Sequence, residues 1–268
     1  MKLKSVKLIY FSPTRTTKQI LESIADSLGA ETVQHLDLTL PEADTSRFEE
    51  IRDDFVVLGA PVYEGRVAKT AVSRLQRLRA DKIPAAVVVV YGNRAFEDAL
   101  LELSDLAENL GFIPIAGGAF IGEHSFATEN RPIANGRPDS SDIVKARDFG
   151  TKIRSKMENL ESIDDVSRVA VPGNIPYIDR DRSALADKAA KTLEEKCTLC
   201  GDCESLCPVG AITVGDAVVT DELACILCNA CVKNCPAGAR VIDDSMINKI
   251  VDWVSKHSQA RQEPEIFM

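Results

Sequence analysis

The sequence predicts an α/β protein: a doubly wound, five-stranded parallel sheet followed by a small α+β module built around cysteines. Two observations carry the first half. Short β-branched runs alternate with segments of helical apolar spacing over residues 1–121, the βα alternation of a parallel sheet covered by helices. The longest run, Ala85 to Tyr91 (AAVVVVY), is apolar on both faces, as befits a strand buried from both sides. A third observation carries the second half: all eight cysteines lie between Cys197 and Cys235.

Taken in order, Val6 to Phe11 is the first strand, and Ser12-Pro13-Thr14-Arg15-Thr16-Thr17 turns the chain into a helix marked by Ile20, Leu21, Ile24, Ala25 and Leu28. Thr32 to Leu38 reads as an edge strand and Asp54 to Gly59 (DFVVLG) as a buried one. Val72, Leu75 and Leu78 stripe a helix over Thr70 to Leu78, ahead of the strand at Ala85 to Tyr91. A helix from about Phe96 to Leu110, stopped by Gly111, leads to the fifth strand, Phe112 to Ile121. A long loop over 122–140 and a polar helix from about Ser141 to Leu160 complete a domain spanning 1–160. Residues 161–189 form a linker: Pro172, Gly173 and Pro176 break the periodicity, while Val169, Val171, Ile175, Tyr177 and Ile178 allow it to pack. A short helix from about Ser183 enters the cysteine module at 190–244. Within 245–268, Met246, Ile247, Ile250, Val251 and Val254 mark an amphipathic helix, and the tail from about Ser258 is expected to fray.

Composition narrows the function. At 45% hydrophobic and 27% charged residues the 268-residue chain is neither disordered nor fibrous, and no apolar run reaches the roughly 18 residues of a membrane span. The lysines and short apolar run at Met1 to Tyr10 lack a following small-residue cleavage site, so a cytoplasmic protein is expected. A net charge of −9 weighs against nucleic acid and anionic membrane as partners. The acidity falls late, with −2 over residues 1–160 and −5 over 190–245.

A reducing compartment turns clustered cysteines toward metal or redox chemistry. Cys197, Cys200, Cys203 and Cys207 before Pro208 form C-x2-C-x2-C-x3-C-P, and Cys225, Cys228, Cys231 and Cys235 before Pro236 form it again 28 residues later. The duplication predicts pseudo-two-fold symmetry. Zinc also binds C-x2-C pairs, but zinc ribbons use two pairs per ion and leave the third cysteine and the trailing C-P without a task. Three thiolates two residues apart grip three irons of a cubane while the fourth points away. Residues 190–244 resemble the bacterial-type two-cluster ferredoxins. That resemblance implies low-potential one-electron transfer by two [4Fe-4S] clusters, one on Cys197, Cys200, Cys203 and Cys235, the other on Cys225, Cys228, Cys231 and Cys207. Glu194, Glu195, Asp202, Glu204, Asp216, Asp221 and Glu222 would favour the oxidised clusters, or simply form a solvated face.

The first turn holds four hydroxyls, on Ser12, Thr14, Thr16 and Thr17, at a helix N-terminus, where backbone N–H groups and the dipole favour a phosphate; helix capping alone needs fewer. Two further loops follow strands three and four: Gly59-Ala60-Pro61-Val62-Tyr63-Glu64-Gly65-Arg66 and Tyr91-Gly92-Asn93-Arg94-Ala95-Phe96. Beyond the carboxyl ends of such strands ligands bind at the switch point of the sheet. Tyr63 and Tyr91 would flank a flat ring, with the backbone of Gly92, Asn93 and Arg94 at its polar edge. Here the domain resembles flavodoxin, and the chain from about residue 4 to 244 resembles the flavodoxin-ferredoxin fusion proteins of anaerobic bacteria and archaea. The resemblance implies a flavodoxin-like fold and FMN, held by Ser12, Thr14, Arg15, Thr16, Thr17, Pro61, Val62, Tyr63, Gly65, Tyr91, Gly92, Asn93 and Arg94. Arg15 stands where the family's phosphate loop has glycine, which weighs against a left-handed backbone there. No G-x-G-x-x-G follows the first strand, so NAD(P)H is unsupported.

The expected function is an electron relay between protein donors and acceptors, with no catalytic acid, base or nucleophile. The alternative is an FMN-dependent reductase of a quinone, nitro compound or disulfide, fed by the clusters. A homodimer is compatible with either. His124 reads as a pocket residue or an ordinary loop histidine, and Arg66, Lys69, Arg74, Arg77 and Arg79 as a largely solvated basic face that attracts an acidic module or partner.

Overall fold

The computed structural model describes residues 2–45, 49–163, 166–181 and 183–268. β1 (Ser5–Tyr10) leads through α1 (Thr16–Ala25) to β2 (Thr32–Asp37), its parallel neighbour; on its other side β1 pairs with β3 (Phe55–Tyr63). After α2 (Lys69–Leu75), β4 (Ile83–Tyr91) pairs with β3; after α3 (Ala99–Asn109), β5 (Phe112–Ile121) pairs with β4. The parallel order is therefore 2-1-3-4-5, the flavodoxin-like order, with its switch point between β1 and β3.

Each face of the sheet has its own apolar layer. Val87, Val89, Leu100 and Leu103 pack on the α2–α3 side. Val57, Val88, Ile20, Ile24 and Phe149 pack on the side of α1 and α4 (Ser140–Glu158). The residues of AAVVVVY divide between the two layers, which is why the run is apolar throughout. Gly150 lets α4 approach α1, since a Cβ there would meet the Ile24 carbonyl at 2.2 Å. Asp139 caps α4 in a capping box with Asp142. Among the boundaries that differ from expectation, two are set by strand pairing. β3 runs on to Tyr63 because Val62 and Tyr63 pair with a short strand, Arg66–Val67, and α2 stops at Leu75 because Leu78–Arg79 pairs with Glu49–Glu50.

The linker is a strap laid over α3. Arg168 pairs with Asp105 and Glu108, the Asp98 carboxylate accepts from the backbone N–H of Asn174 and Ile178, and Val171 packs against Gly117. Its residues 164, 165 and 182 lie outside the described residues.

The cysteine module carries the sequence repeat into space. α5 (Asp202–Ser205) and α6 (Ala230–Lys233) lie 28 residues apart, each entered through a left-handed N-cap, Gly201 and Asn229. β6 (Ile212–Val214) pairs antiparallel with β7 (Val218–Thr220), matching Ile212 to Thr220; the ladder of Lys191–Thr192 with Arg240–Val241 matches Arg240, 28 residues after Ile212, to Thr192, 28 residues before Thr220. The module is tied to the first domain. Asn229 Nδ2 donates to the Ser125 carbonyl at 3.1 Å, Lys233 Nζ to the Ala127 carbonyl at 2.6 Å, and Arg74 Nη2 to the Pro208 carbonyl at 2.7 Å.

The expectation of a fraying tail is overturned. After α7 (Ser245–His257), the chain returns to the first domain and β8 (Glu265–Phe267) adds an antiparallel strand to β5. Paired backbone groups and the half-buried Ile266 and Phe267, packed against the sheet's two cores, hold it there. Among the described residues no helix is long and apolar enough to cross a membrane.

Candidate redox site

A cavity of about 300 Å³ opens at the carboxyl ends of β1, β3 and β4. Of the predicted residues, Thr14, Thr16, Pro61, Val62, Tyr63, Gly65, Tyr91, Gly92 and Arg94 line it. Ser12, Arg15, Thr17 and Asn93 do not, each for its own reason. Ser12 Oγ accepts from the Lys18 N–H, so this hydroxyl serves the helix start. Arg15 is exposed, and its backbone is left-handed after all, with φ 66; a tight helix entry imposes this conformation even without glycine. Thr17 is buried in the first turn of α1, with no partner for its hydroxyl among the described residues. Asn93 is turned away: its Nδ2 donates to the Ser258 and Ala260 carbonyls at 2.6 and 2.9 Å, and its Oδ1 accepts from the Gln262 N–H at 3.1 Å.

The remaining lining comes from elsewhere in the chain. Gly122 to Phe126 follow β5, Arg180 and Leu185 belong to the strap, Ile226 and Leu227 to the second cysteine loop, and Ile247, Ile250, Val251, Trp253 and Val254 to α7. The sequence marks α7 as amphipathic but not what its apolar face covers. His124 packs over Gly92, where a Cβ would lie 2.3 Å from the ring. Its Nδ1 accepts from the Phe126 N–H, which leaves the proton of the neutral ring on Nε2. Burial, aided by Lys233 and Arg94, lowers its pKa to about 4; the ring's remaining exposure is to the cavity. Tyr91 is buried against Phe96, and burial, with Glu265 nearby, pushes its hydroxyl up to about 12.

The basic region around α2 is less solvated than its composition predicts. Arg66 is held by both oxygens of Glu102, and the Arg74 side chain is fully buried, bonded to Asp44 and to the carbonyls of Leu38, Thr39 and Pro208.

The cysteines fall into two groups. Cys197, Cys200, Cys203 and Cys235 ring an outer cage, and Cys207, Cys225, Cys228 and Cys231 an inner one, so each run contributes its fourth cysteine to the other's cage. Matching backbone bonds serve the two crossing thiols, from the Ala211 N–H to Cys207 Sγ and from the Ala239 N–H to Cys235 Sγ, both at 3.2 Å. Burial pushes the Cys228 thiol up to about 12, a proton that iron would displace on binding. The buried Arg240 lines both cages, and its Nε–H has no acceptor among the described residues. Two four-thiol cages with an unsatisfied donor between them fit two anionic clusters.

Residues 196–239 match the family model described as the 4Fe-4S dicluster domain. This segment is a 4Fe-4S dicluster domain. The chain is thus an electron-transfer protein in which a flavodoxin-like domain is fused to a dicluster, ferredoxin-type domain. Among solved structures it is similar to a flavodoxin from the domain Archaea, at 13% identity over 58% of this chain and 99% of that one, with a TM-score of 0.38. The Streptococcus pneumonia TIGR4 flavodoxin is 17% identical over 57% of this chain and 99% of its own, TM-score 0.40. A Fusobacterium nucleatum flavodoxin bound to flavin mononucleotide is 15% identical over 57% and 99%, TM-score 0.38. No curated protein matches the sequence.

Proposed function

We propose that the protein relays electrons through its two [4Fe-4S] clusters to and from an FMN held in the cavity beside them. The observation that carries this reading is a shared wall: Ile226 and Leu227 line both the inner cage and the cavity. The carriers then stand in one order, outer cluster, inner cluster, flavin.

The residues present fit FMN. The unpartnered Thr17 hydroxyl lies in the first turn of α1, where N–H groups and the dipole favour a phosphate, and Thr14 and Thr16 line the adjoining cavity. Tyr63 and Tyr91 offer aromatic walls, and Gly92 and Arg94 offer backbone polar groups. When bound, FMN supplies the exchange between two-electron and one-electron chemistry, which clusters alone lack. The protein's own part is placement and dryness. Eight cysteines hold the iron, the loops after β3 and β4 orient the ring, and Leu227, Val251 and Val254 exclude water from the side facing the inner cage. Trp253, half exposed at the cavity's edge, favours a second reading in which a small acceptor reaches the flavin directly.

Anaerobic purification with iron, sulfide and flavin counted per chain tests the proposal. About eight irons, eight sulfides and one FMN are expected. Clusters without flavin, after reconstitution with FMN, would remove the flavin from the scheme. Turnover with a small quinone at rates exceeding those with redox proteins would favour the second reading.

A further inference from the structure

The two cysteine loops are copies in unequal surroundings. Residues 28 apart are mates: Leu227 with Leu199, Asn229 with Gly201, Lys233 with Ser205. On the inner loop all three are taken up by the flavodoxin-like domain or its cavity. Leu227 is buried in the shared wall, Asn229 bonds the Ser125 carbonyl, and Lys233 bonds the Ala127 carbonyl and pairs with Glu123. On the outer loop the mates face solvent. Leu199 is 44% exposed, a Cβ at Gly201 would meet nothing within 4 Å, and Ser205 is exposed. Leu199 and Leu227 share a left-handed backbone, φ 54 and 55, so the loops offer the same face.

On the inner loop that face closes the gap between the cage and the cavity. Its copy beside the outer cage is open, with Cys200 exposed at its centre. Around it Glu194, Glu195, Asp202 and Glu204 are exposed, against a single lysine, Lys196, in the same stretch.

We propose that the outer loop, residues 198–205, is the docking surface for a one-electron carrier protein with an apolar centre and a basic rim. This rests on the relay reading above. In the step itself one electron passes between the partner's redox centre and the outer cluster; one is oxidised, the other reduced, and no bond or proton moves. On the side of the cavity, Leu227 and α7 roof the inner cage.

The test uses the full, cluster- and flavin-loaded chain, reduced with dithionite and mixed in a stopped-flow instrument with oxidised cytochrome c, a basic haem protein. The bimolecular rate is expected to fall with ionic strength, and Glu195→Lys and Glu204→Lys to lower it about threefold each. Leu199→Asn, which tolerates the left-handed backbone, is expected to lower it about tenfold with iron content unchanged. Glu31→Lys, an exposed carboxylate on the other domain, is the control for net charge. Parent-like rates in both lysine variants, or equal slowing by Glu31→Lys, would overturn the proposal; if Leu199→Asn loses iron, the lysine variants decide. The relay reading fails separately, by absence of FMN or of flavin reduction when the parent's clusters are reduced.

Discussion

The buried guanidinium of Arg74 is shared between Asp44 and three backbone carbonyls, those of Leu38, Thr39 and Pro208. Arg74→Ala leaves those carbonyls without their donor, and a loss of about 3–5 kcal/mol is expected in equilibrium denaturation. His124 gives a pH dependence. Its pKa falls from 6.5 to about 4 on folding, so between those values the unfolded chain takes up a proton that the native chain refuses. Stability due to this residue is therefore complete above about pH 6.5, falls as the pH drops toward 4, and is flat below. The expected loss is about 2 kcal/mol, after allowing for the ring's access to the cavity, and His124→Gln should flatten the pH profile of denaturation by that amount. Residue type and spacing made the cysteine sets and the Thr14, Tyr63 and Tyr91 loops legible. They could not separate Asn93 from Gly92 and Arg94, because the partners of its side chain lie more than 160 residues away.

At the scale of elements, the strands were legible because burial on two faces demands uninterrupted β-branched residues, and the helices because one-sided burial demands a stripe. What a stripe covers is not written in it. Ile247, Val251 and Val254 would read the same against any core, yet here they roof a cavity at the carboxyl ends of β3 and β4 and the turn after β1. The roof is held down by the segment after it, through Asn93, the pairing of Arg261 with Asp139, and β8 on β5. Truncation after His257 is expected to leave the clusters in place and weaken FMN binding about tenfold or more, read as less quenching of flavin fluorescence on titration with the apoprotein. Gly92→Ala, whose new methyl would collide with His124, is expected to do the same without touching the tail.

For the molecule as a whole, the crossed cages make a prediction that the linear order of the motifs does not. Cys207→Ser alters the first run but is expected to degrade the inner cluster, and Cys235→Ser, in the second run, the outer one. Iron content and electron paramagnetic resonance of the reduced protein distinguish the two. Cys200→Ser is expected to cost the outer cluster while flavin stays bound. Replacing Arg240 with leucine removes a buried cation that both cages share, and the potentials of both clusters are expected to fall together in a spectroelectrochemical titration.

The strand order of the large sheet also bears on how the protein is made. β8 is translated after the dicluster domain, yet it completes a sheet whose other long strands were translated before it. While ribosomes work through the cysteine runs, the outer edge of β5 stands open, with unpaired amides at Gly117 to Ala119. Until Glu265–Phe267 arrives, that edge is a template on which a strand of another chain could pair, so the last three-residue strand is also the protein's guard against edge-to-edge association.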